Sequence, residues 1–131
     1  MRVQDVMISR VIVVKPQQAL GEVAELFAEH EISGAPVVDD AGRLVGVISQ
    51  SDLMYRAGLD FEKAPAAARE KTVAEVMTHQ VASIAPDASL DAAAALLESK
   101  GIDRVPVVAA GRIVGIVSRT DLASAPARRV R

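Results

Sequence analysis

The sequence predicts an α+β fold built from two tandem βαββα repeats, and three observations carry that prediction. First, the chain aligns with itself at an offset of 70 residues through Val38 and of 69 from Gly42 to Leu53. Nineteen of the 50 aligned positions are identical. Second, short β-branched runs and helix-period stretches alternate in the same order in both copies. Third, the one-residue gap falls where a hairpin turn is expected: Asp39-Asp40-Ala41-Gly42-Arg43 in the first copy becomes Ala109-Ala110-Gly111-Arg112 in the second. The expected organisation is a first repeat over 1–58, a linker over 59–72, a second repeat over 73–124 and a basic tail over 125–131.

The elements follow in order. Val11-Ile12-Val13-Val14 is a β-branched run stopped by Pro16 and reads as a buried strand. Residues 19–30 carry Leu20, Val23, Ala24 and Phe27 at helical spacing with Glu22, Glu25 and Glu29 on the other face, an amphipathic helix. Its counterpart over 89–100 opens on Ser89, an N-cap residue, with Asp91 in the first turn. Pro36-Val37-Val38 and Leu44-Val45-Gly46-Val47-Ile48 read as two strands joined by the hairpin turn, and a helix is expected to start near Ser49 and again near Ser118. The segment from Met54 to Thr72 reads as a helical overrun, a turn and a second short helix, with no chemistry of its own. Asp91-Ala92-Ala93-Ala94-Ala95-Leu96-Leu97 is apolar nearly all round a helix. Its small side chains suit close packing, either within one chain or across a dimer.

Composition excludes several classes of function. The 131 residues are 50% hydrophobic and 24% charged, a globular mixture. The absence of cysteine removes disulfides, thiolate zinc sites, iron–sulfur clusters and thiol nucleophiles. The two histidines, His30 and His79, are too far apart for an HExxH zinc motif, and no dedicated metal cluster is expected. The longest strictly apolar run, Ala92 to Leu97, is far too short to cross a membrane. Met1-Arg2-Val3-Gln4-Asp5 leads into no apolar signal region, so a cytoplasmic location is expected. The formal net charge is −2; leaving out Arg128, Arg129 and Arg131, 12 basic face 17 acidic residues, or −5. Such a body is a poor partner for nucleic acid, although the basic tail could touch RNA or an acidic surface. No serine sits beside an obvious histidine base and no P-loop is present, so catalysis is not expected.

One heptapeptide closes both copies: Gly46-Val47-Ile48-Ser49-Gln50-Ser51-Asp52 and Gly115-Ile116-Val117-Ser118-Arg119-Thr120-Asp121. A strand here runs into a helix start. The serine hydroxyl with the first N–H groups can receive an anion. The aspartate, one turn later, offers two acceptor oxygens that suit the vicinal diol of a ribose. The glycine admits a close approach of backbone or ligand. The same Ser-x-x-Asp pattern is also close to a capping box, which needs no ligand.

In combination these residues resemble a tandem pair of cystathionine β-synthase (CBS) domains. The resemblance is carried by Val3-Gln4-Asp5-Val6-Met7, Val11 through Pro16, Ile32-Ser33-Gly34-Ala35-Pro36-Val37-Val38 and the 46–52 heptapeptide. The second copy contributes Val73-Ala74-Glu75-Val76-Met77-Thr78, Pro86 with Ser89-Leu90, Gly101-Ile102-Asp103-Arg104-Val105-Pro106-Val107-Val108 and the 115–121 heptapeptide. It covers residues 3–123. It implies two repeats packed as a pseudo-twofold pair, sheets with flanking helices, and two clefts that bind AMP, ADP, ATP, S-adenosylmethionine or related molecules, or nothing. By resemblance, Asp52 and Asp121 would hold the ribose, and Ser49 and Ser118 would face the phosphates. The Ala35-Pro36 and Val105-Pro106 segments would line the base. The first cleft would join Ser49 and Asp52 to Thr78, His79 and Arg104. The second would join Ser118 and Asp121 to Ile8, Ser9, Ser33 and Gly34, with Arg119 leaning in from the helix start.

Two of these residues have plainer readings. Arg104 is either a phosphate ligand or a surface charge paired with Asp103 or Glu98, and His79 is either a phosphate neighbour or an exposed loop residue. The resemblance further implies a homodimer that meets through its helices. The expected function is a stand-alone regulatory sensor of an adenosine nucleotide, acting on an unidentified partner protein. No cofactor is obligatory. AMP, ADP or ATP is favoured over S-adenosylmethionine or an NAD-type ligand, and magnesium could accompany ATP. The alternative is a ligand-free oligomerisation or protein-interaction module.

Overall fold

The computed structural model describes residues 1–56, 66–79 and 81–124. The Arg-rich tail, residue 80 and residues 57–65, which span the end of the expected first repeat and the start of the expected linker, lie outside the described residues. The fold is α+β, with two antiparallel hairpins and flanking helices. The chain forms two compact units: Ile12–Val81, and Met1–Val11 together with the chain from Ala82 onward. Each unit therefore takes the leading segment of one repeat and the body of the other.

In the Ile12–Val81 unit, α2 (Leu20–His30) buries Leu20, Val23, Ala24 and Phe27. Burial of each large apolar side chain stabilises by about 1.5–3 kcal/mol. The helix ends on Glu31, left-handed at φ 54°. Strands β1 (Gly34–Val38) and β2 (Leu44–Ser49) pair antiparallel, with an irregularity between Val37 and Val38. Their turn is held by Asp39, whose Oδ1 accepts the N–H groups of Ala41 and Arg43 at 2.9 Å each, while Gly42 takes φ 82°.

The predicted strand over Val11–Val14 is reduced to one residue. Only Val14 bridges β1, in parallel, donating to Pro36 at 3.0 Å and accepting from Val38 at 2.9 Å. Pro16 soon follows and cannot donate to a ladder, so the pairing does not extend. A helical segment follows β2 as predicted, with a π-helical turn over Asp52–Arg56. The second short linker helix is α3 (Ala66–Arg69), whose Arg69 bonds Glu25 at 3.0 Å. Helix α4 (Val73–Val76) sends Val73, Val76 and Met77 into the same core as Leu20, Phe27 and Ile48.

The other unit repeats this plan. Helix α5 (Leu90–Lys100) opens on Ser89, whose hydroxyl accepts from the Ala92 N–H at 3.0 Å, and closes on Gly101 at φ 64°. Strands β3 (Arg104–Ala109) and β4 (Arg112–Ser118) are joined by Ala110 and Gly111, at φ 53° and 80°. Two positive φ values in a two-residue loop match a type I′ turn. Ile84 bridges β3 in parallel as Val14 bridges β1. Helix α1 (Val3–Val6) places Val3, fully buried, among Ala93, Leu97, Val105, Val107 and Val117. Of the nearly all-apolar stretch in α5, Ala93 and Leu97 are buried, while Ala92, Ala94 and Ala95 are exposed. Among the described residues no helix is long and apolar enough to cross a membrane.

Candidate functional site

The two heptapeptides form the same corner in their separate units. After β2, the Ser49 hydroxyl accepts from the Asp52 N–H at 3.1 Å, and Asp52 Oδ2 accepts from the Ser49 N–H at 2.8 Å. After β4, Ser118 and Asp121 exchange the same two bonds at 3.1 and 2.9 Å, opening α6 (Arg119–Ala123). Each corner is thus a reciprocal capping box. The cap takes up the hydroxyl oxygen and one carboxylate oxygen. It leaves the hydroxyl proton free to donate and one carboxylate oxygen outside the cap; at Asp52 that oxygen lies 3.7 Å from the Arg56 guanidinium, and at Asp121 it has no partner among the described residues. Of the first N–H groups of these turns, the cap takes those of Asp52 and Asp121, and the Ser33 and Asp103 carbonyls take those of Gln50 and Arg119 at 2.8 and 2.9 Å, so the anion nest expected at the helix starts is largely closed.

The heptapeptide glycines have a definite role. Val47 and Thr78 exchange backbone bonds at 3.0 and 2.9 Å, and Ile8 and Ile116 do so at 2.8 and 2.9 Å. These bridges satisfy the outward backbone groups of β2 and β4. A Cβ on Gly46 would lie 2.8 Å from the Thr78 carbonyl oxygen and 2.9 Å from Met77 Sδ. On Gly115 it would lie 2.6 Å from Met7 Sδ and 3.0 Å from the Ile8 carbonyl oxygen. Of the two approaches that sequence left open, the one present is that of backbone.

The Ile12–Val81 unit brings Ser49 and Asp52 together with Ser33, Gly34, Ala35, Pro36, Thr78 and His79. Ser33 and Gly34, expected beside Asp121, belong to this unit: Gly34 is the cross-strand partner of Ser49, and the Gln50 N–H bonds the Ser33 carbonyl at 2.8 Å. Thr78 and His79 are exposed, whereas Ala35 and Pro36 are buried, so the strand segment offers backbone rather than side chain at its surface. The other unit brings Ser118 and Asp121 together with Ile8, Ser9, Arg104, Val105 and Pro106. Ile8 and Ser9 are exposed, and Val105 and Pro106 are buried. Arg104, expected beside Asp52, belongs to this unit, where it is the cross-strand partner of Ser118.

The arginines at the two corners differ. Arg104 is exposed and forms no ion pair with another described residue; its suggested partner Asp103 is taken by Arg119 at 3.3 Å. Arg119 does not lean toward the Ser118 corner. Its guanidinium bonds the Ile102 and Leu97 carbonyls at 3.2 and 3.3 Å, at the C-terminal end of α5. Sequence reasoning missed Arg56, whose guanidinium lies 3.7 Å from Asp52 Oδ1. Its spacing of four residues from Asp52 was the available signal. Among the described residues no group of His, Asp or Glu is arranged to hold a metal ion.

The geometry thus defines a class of protein: a duplicated βαββα module in which each hairpin unit is completed by the leading segment of the other repeat. The chain belongs to the CBS domain family, whose model matches residues 3–58 and 73–128. Among solved structures it is similar to CBSX2 from Arabidopsis thaliana, of which one structure is a complex with AMP. That complex is 34% identical, with a TM-score of 0.81, covering 93% of this chain and 92% of the other. It is also similar to the CBS domain pair of protein MJ0100 in complex with 5-methylthioadenosine and S-adenosyl-L-methionine: 31% identity, TM-score 0.78, 94% and 93% covered. Inosine-5'-monophosphate dehydrogenase of Mycobacterium leprae is 35% identical over 117 residues. That match covers 88% of this chain but only 20% of the enzyme, so it carries no catalytic activity to this chain.

Proposed function

We propose that this protein is a regulatory module that binds an adenosine nucleotide, AMP, ADP or ATP, at its Ser-x-x-Asp corners and passes the ligand's presence to a partner protein. The observation that carries the reading is the duplicated corner itself. In both copies a capped serine keeps a hydroxyl proton and a capped aspartate holds one carboxylate oxygen outside the cap, beside Arg56 at Asp52 and without a described partner at Asp121, in a chain similar to proteins solved with AMP and with other adenosine ligands. The carboxylates of Asp52 and Asp121 accept the ribose hydroxyls, and Ser49 and Ser118 donate to phosphate oxygens. Thr78 and His79 flank the first corner; Ile8 and Ser9 flank the second. The backbone of Ser33-Gly34-Ala35-Pro36 and of Val105-Pro106 meets the base edge, and Arg104 meets phosphate. Arg119 contributes only if it leaves the end of α5. S-adenosylmethionine or an NAD-type molecule is the less favoured ligand.

Signalling is linkage: the ligand prefers one arrangement of the repeats, or of a homodimer formed through the helices, and stabilises it by the difference in affinity. Energy sensing in the cytoplasm is the role that follows. The second reading, a ligand-free oligomerisation or interaction module, is favoured by the caps, which account for Ser and Asp without any ligand. Thermal shifts against AMP, ADP, ATP, S-adenosylmethionine and NADH, with and without magnesium, separate the two. A ligand at 100 times its Kd adds about 2.7 kcal/mol. No shift at millimolar concentration would leave the interaction module.

A further inference from the structure

The two corners share one cap but differ in the charges around it, and this difference bears on how many ligands the chain holds. At Asp52 both carboxylate oxygens are engaged: Oδ2 by the Ser49 N–H at 2.8 Å, Oδ1 by Arg56 at 3.7 Å, with the side chain only 13% exposed. The strand position opposite Ser49 is Gly34, which brings no charge. At Asp121, Oδ2 is engaged by the Ser118 N–H at 2.9 Å, and Oδ1 has no partner among the described residues. The strand position opposite Ser118 is Arg104, exposed and without an ion pair to another described residue. Arg119 does not compete there, because Leu97, Ile102 and Asp103 hold it.

From this asymmetry we infer that the Asp121 corner, with Arg104, is the principal site for a phosphorylated adenosine ligand, and that Arg56 holds the Asp52 corner closed. The inference rests on the nucleotide reading above and adds stoichiometry and specificity to it. A ribose diol meets a free acceptor at Asp121 Oδ1, and a phosphate meets a guanidinium that has no competing carboxylate. Charge-assisted bonds of that kind change affinity by roughly ten- to a hundredfold. At Asp52 the same diol must first displace Arg56, and a partly exposed pair of that geometry is worth about a two- to fivefold change in affinity.

The test is calorimetric titration of the 131-residue chain with AMP and, separately, with adenosine. Unchanged circular dichroism serves to establish that each variant is folded. The parent is expected to bind one equivalent of AMP at least tenfold more tightly than a second. Arg104→Met is expected to weaken that first equivalent tenfold or more for AMP but less than threefold for adenosine, a split that a merely structural arginine would not produce. Asp121→Asn is expected to abolish the first equivalent, and Arg56→Met to tighten the second by about two- to fivefold. Two equal sites in the parent, or a tight equivalent that survives in Asp121→Asn, would overturn the inference and leave the nucleotide reading standing. So would an Arg56→Met protein whose second equivalent is unchanged. A parent that binds neither AMP nor adenosine would overturn both.

Discussion

Replacing Gly46 by alanine tests the structural logic of the exchanged segments. The new Cβ would stand 2.8 Å from the Thr78 carbonyl oxygen and 2.9 Å from Met77 Sδ. Ordinary van der Waals contact begins near 3.4 Å, so β2 and the segment at Thr78 must separate by about 0.6 Å. The oxygen cannot rotate away, because it is a backbone group bonded to the Val47 N–H at 3.0 Å. Stretching the two bonds of that bridge forfeits part of about 1 kcal/mol each, and overpacking of a tight contact costs about 1–3 kcal/mol. Alanine recovers about 0.5 kcal/mol through lower backbone entropy. The expected loss is about 2 kcal/mol, read from urea unfolding midpoints. Gly115→Ala is expected to lose less, since its nearest contact is the Met7 sulfur, which can move, and the Ile8 carbonyl oxygen stands at 3.0 Å. If Gly46→Ala unfolds within 0.5 kcal/mol of the parent, the close backbone approach is not what requires the glycine.

Two further outcomes are open to direct measurement. Glu31 ends α2 in the left-handed conformation that Gly101 adopts at the end of α5, and Ala110 takes a similar φ in its hairpin turn, so Glu31→Gly and Ala110→Gly are each expected to stabilise by about 1 kcal/mol in urea; no gain in either would refute the strain. The Arg43 backbone N–H, aided by that of Ala41 and the Arg43 charge, holds the Asp39 carboxyl below its ordinary value, and the Thr72 N–H and hydroxyl do the same for Glu75. Their stabilisation is complete above the ordinary carboxylate values near about 4 and is lost as pH falls through the lower folded values. The double variant Asp39→Asn/Glu75→Gln is therefore expected to lose less stability than the parent between pH of about 5 and 2.5, and an equal loss would contradict the assignment.

What was legible in the sequence depended on the length and locality of each signal. The helices over 20–30 and 90–100 and the two hairpins were readable, because apolar spacing and turn residues are local and were printed twice. The four-residue helices Val3–Val6 and Val73–Val76 were not read, being too short to show a period. The exchange of leading segments was reached only through the family resemblance, which placed Thr78 and His79 with Ser49 and Ile8 and Ser9 with Ser118. It depends on Thr78 meeting Val47 and Ile8 meeting Ile116, contacts far apart in the chain that no local pattern encodes. Residues 11–14 have strand composition, yet only Val14 bonds a neighbour, because composition cannot report how much of a partner edge is available. At the corners, residue types were legible and charges were not. Arg104 drew notice as a cation, but its place opposite Ser118, and Arg119's engagement with the end of α5, are properties of register and packing.

Binding of AMP to the parent and to the double variant Asp52→Asn/Asp121→Asn tests the central claim most directly. Asparagine is the proper replacement, since each aspartate also caps a helical turn. Alanine would remove the cap at about 1 kcal/mol per corner and confound binding with stability, whereas the asparagine carbonyl can still accept the serine N–H. The account predicts that saturating AMP raises the parent's Tm by roughly 10 °C and moves the double variant by less than a quarter of that. Equal shifts in the two proteins would contradict the assignment of the aspartates, and no shift in the parent would contradict the nucleotide function itself.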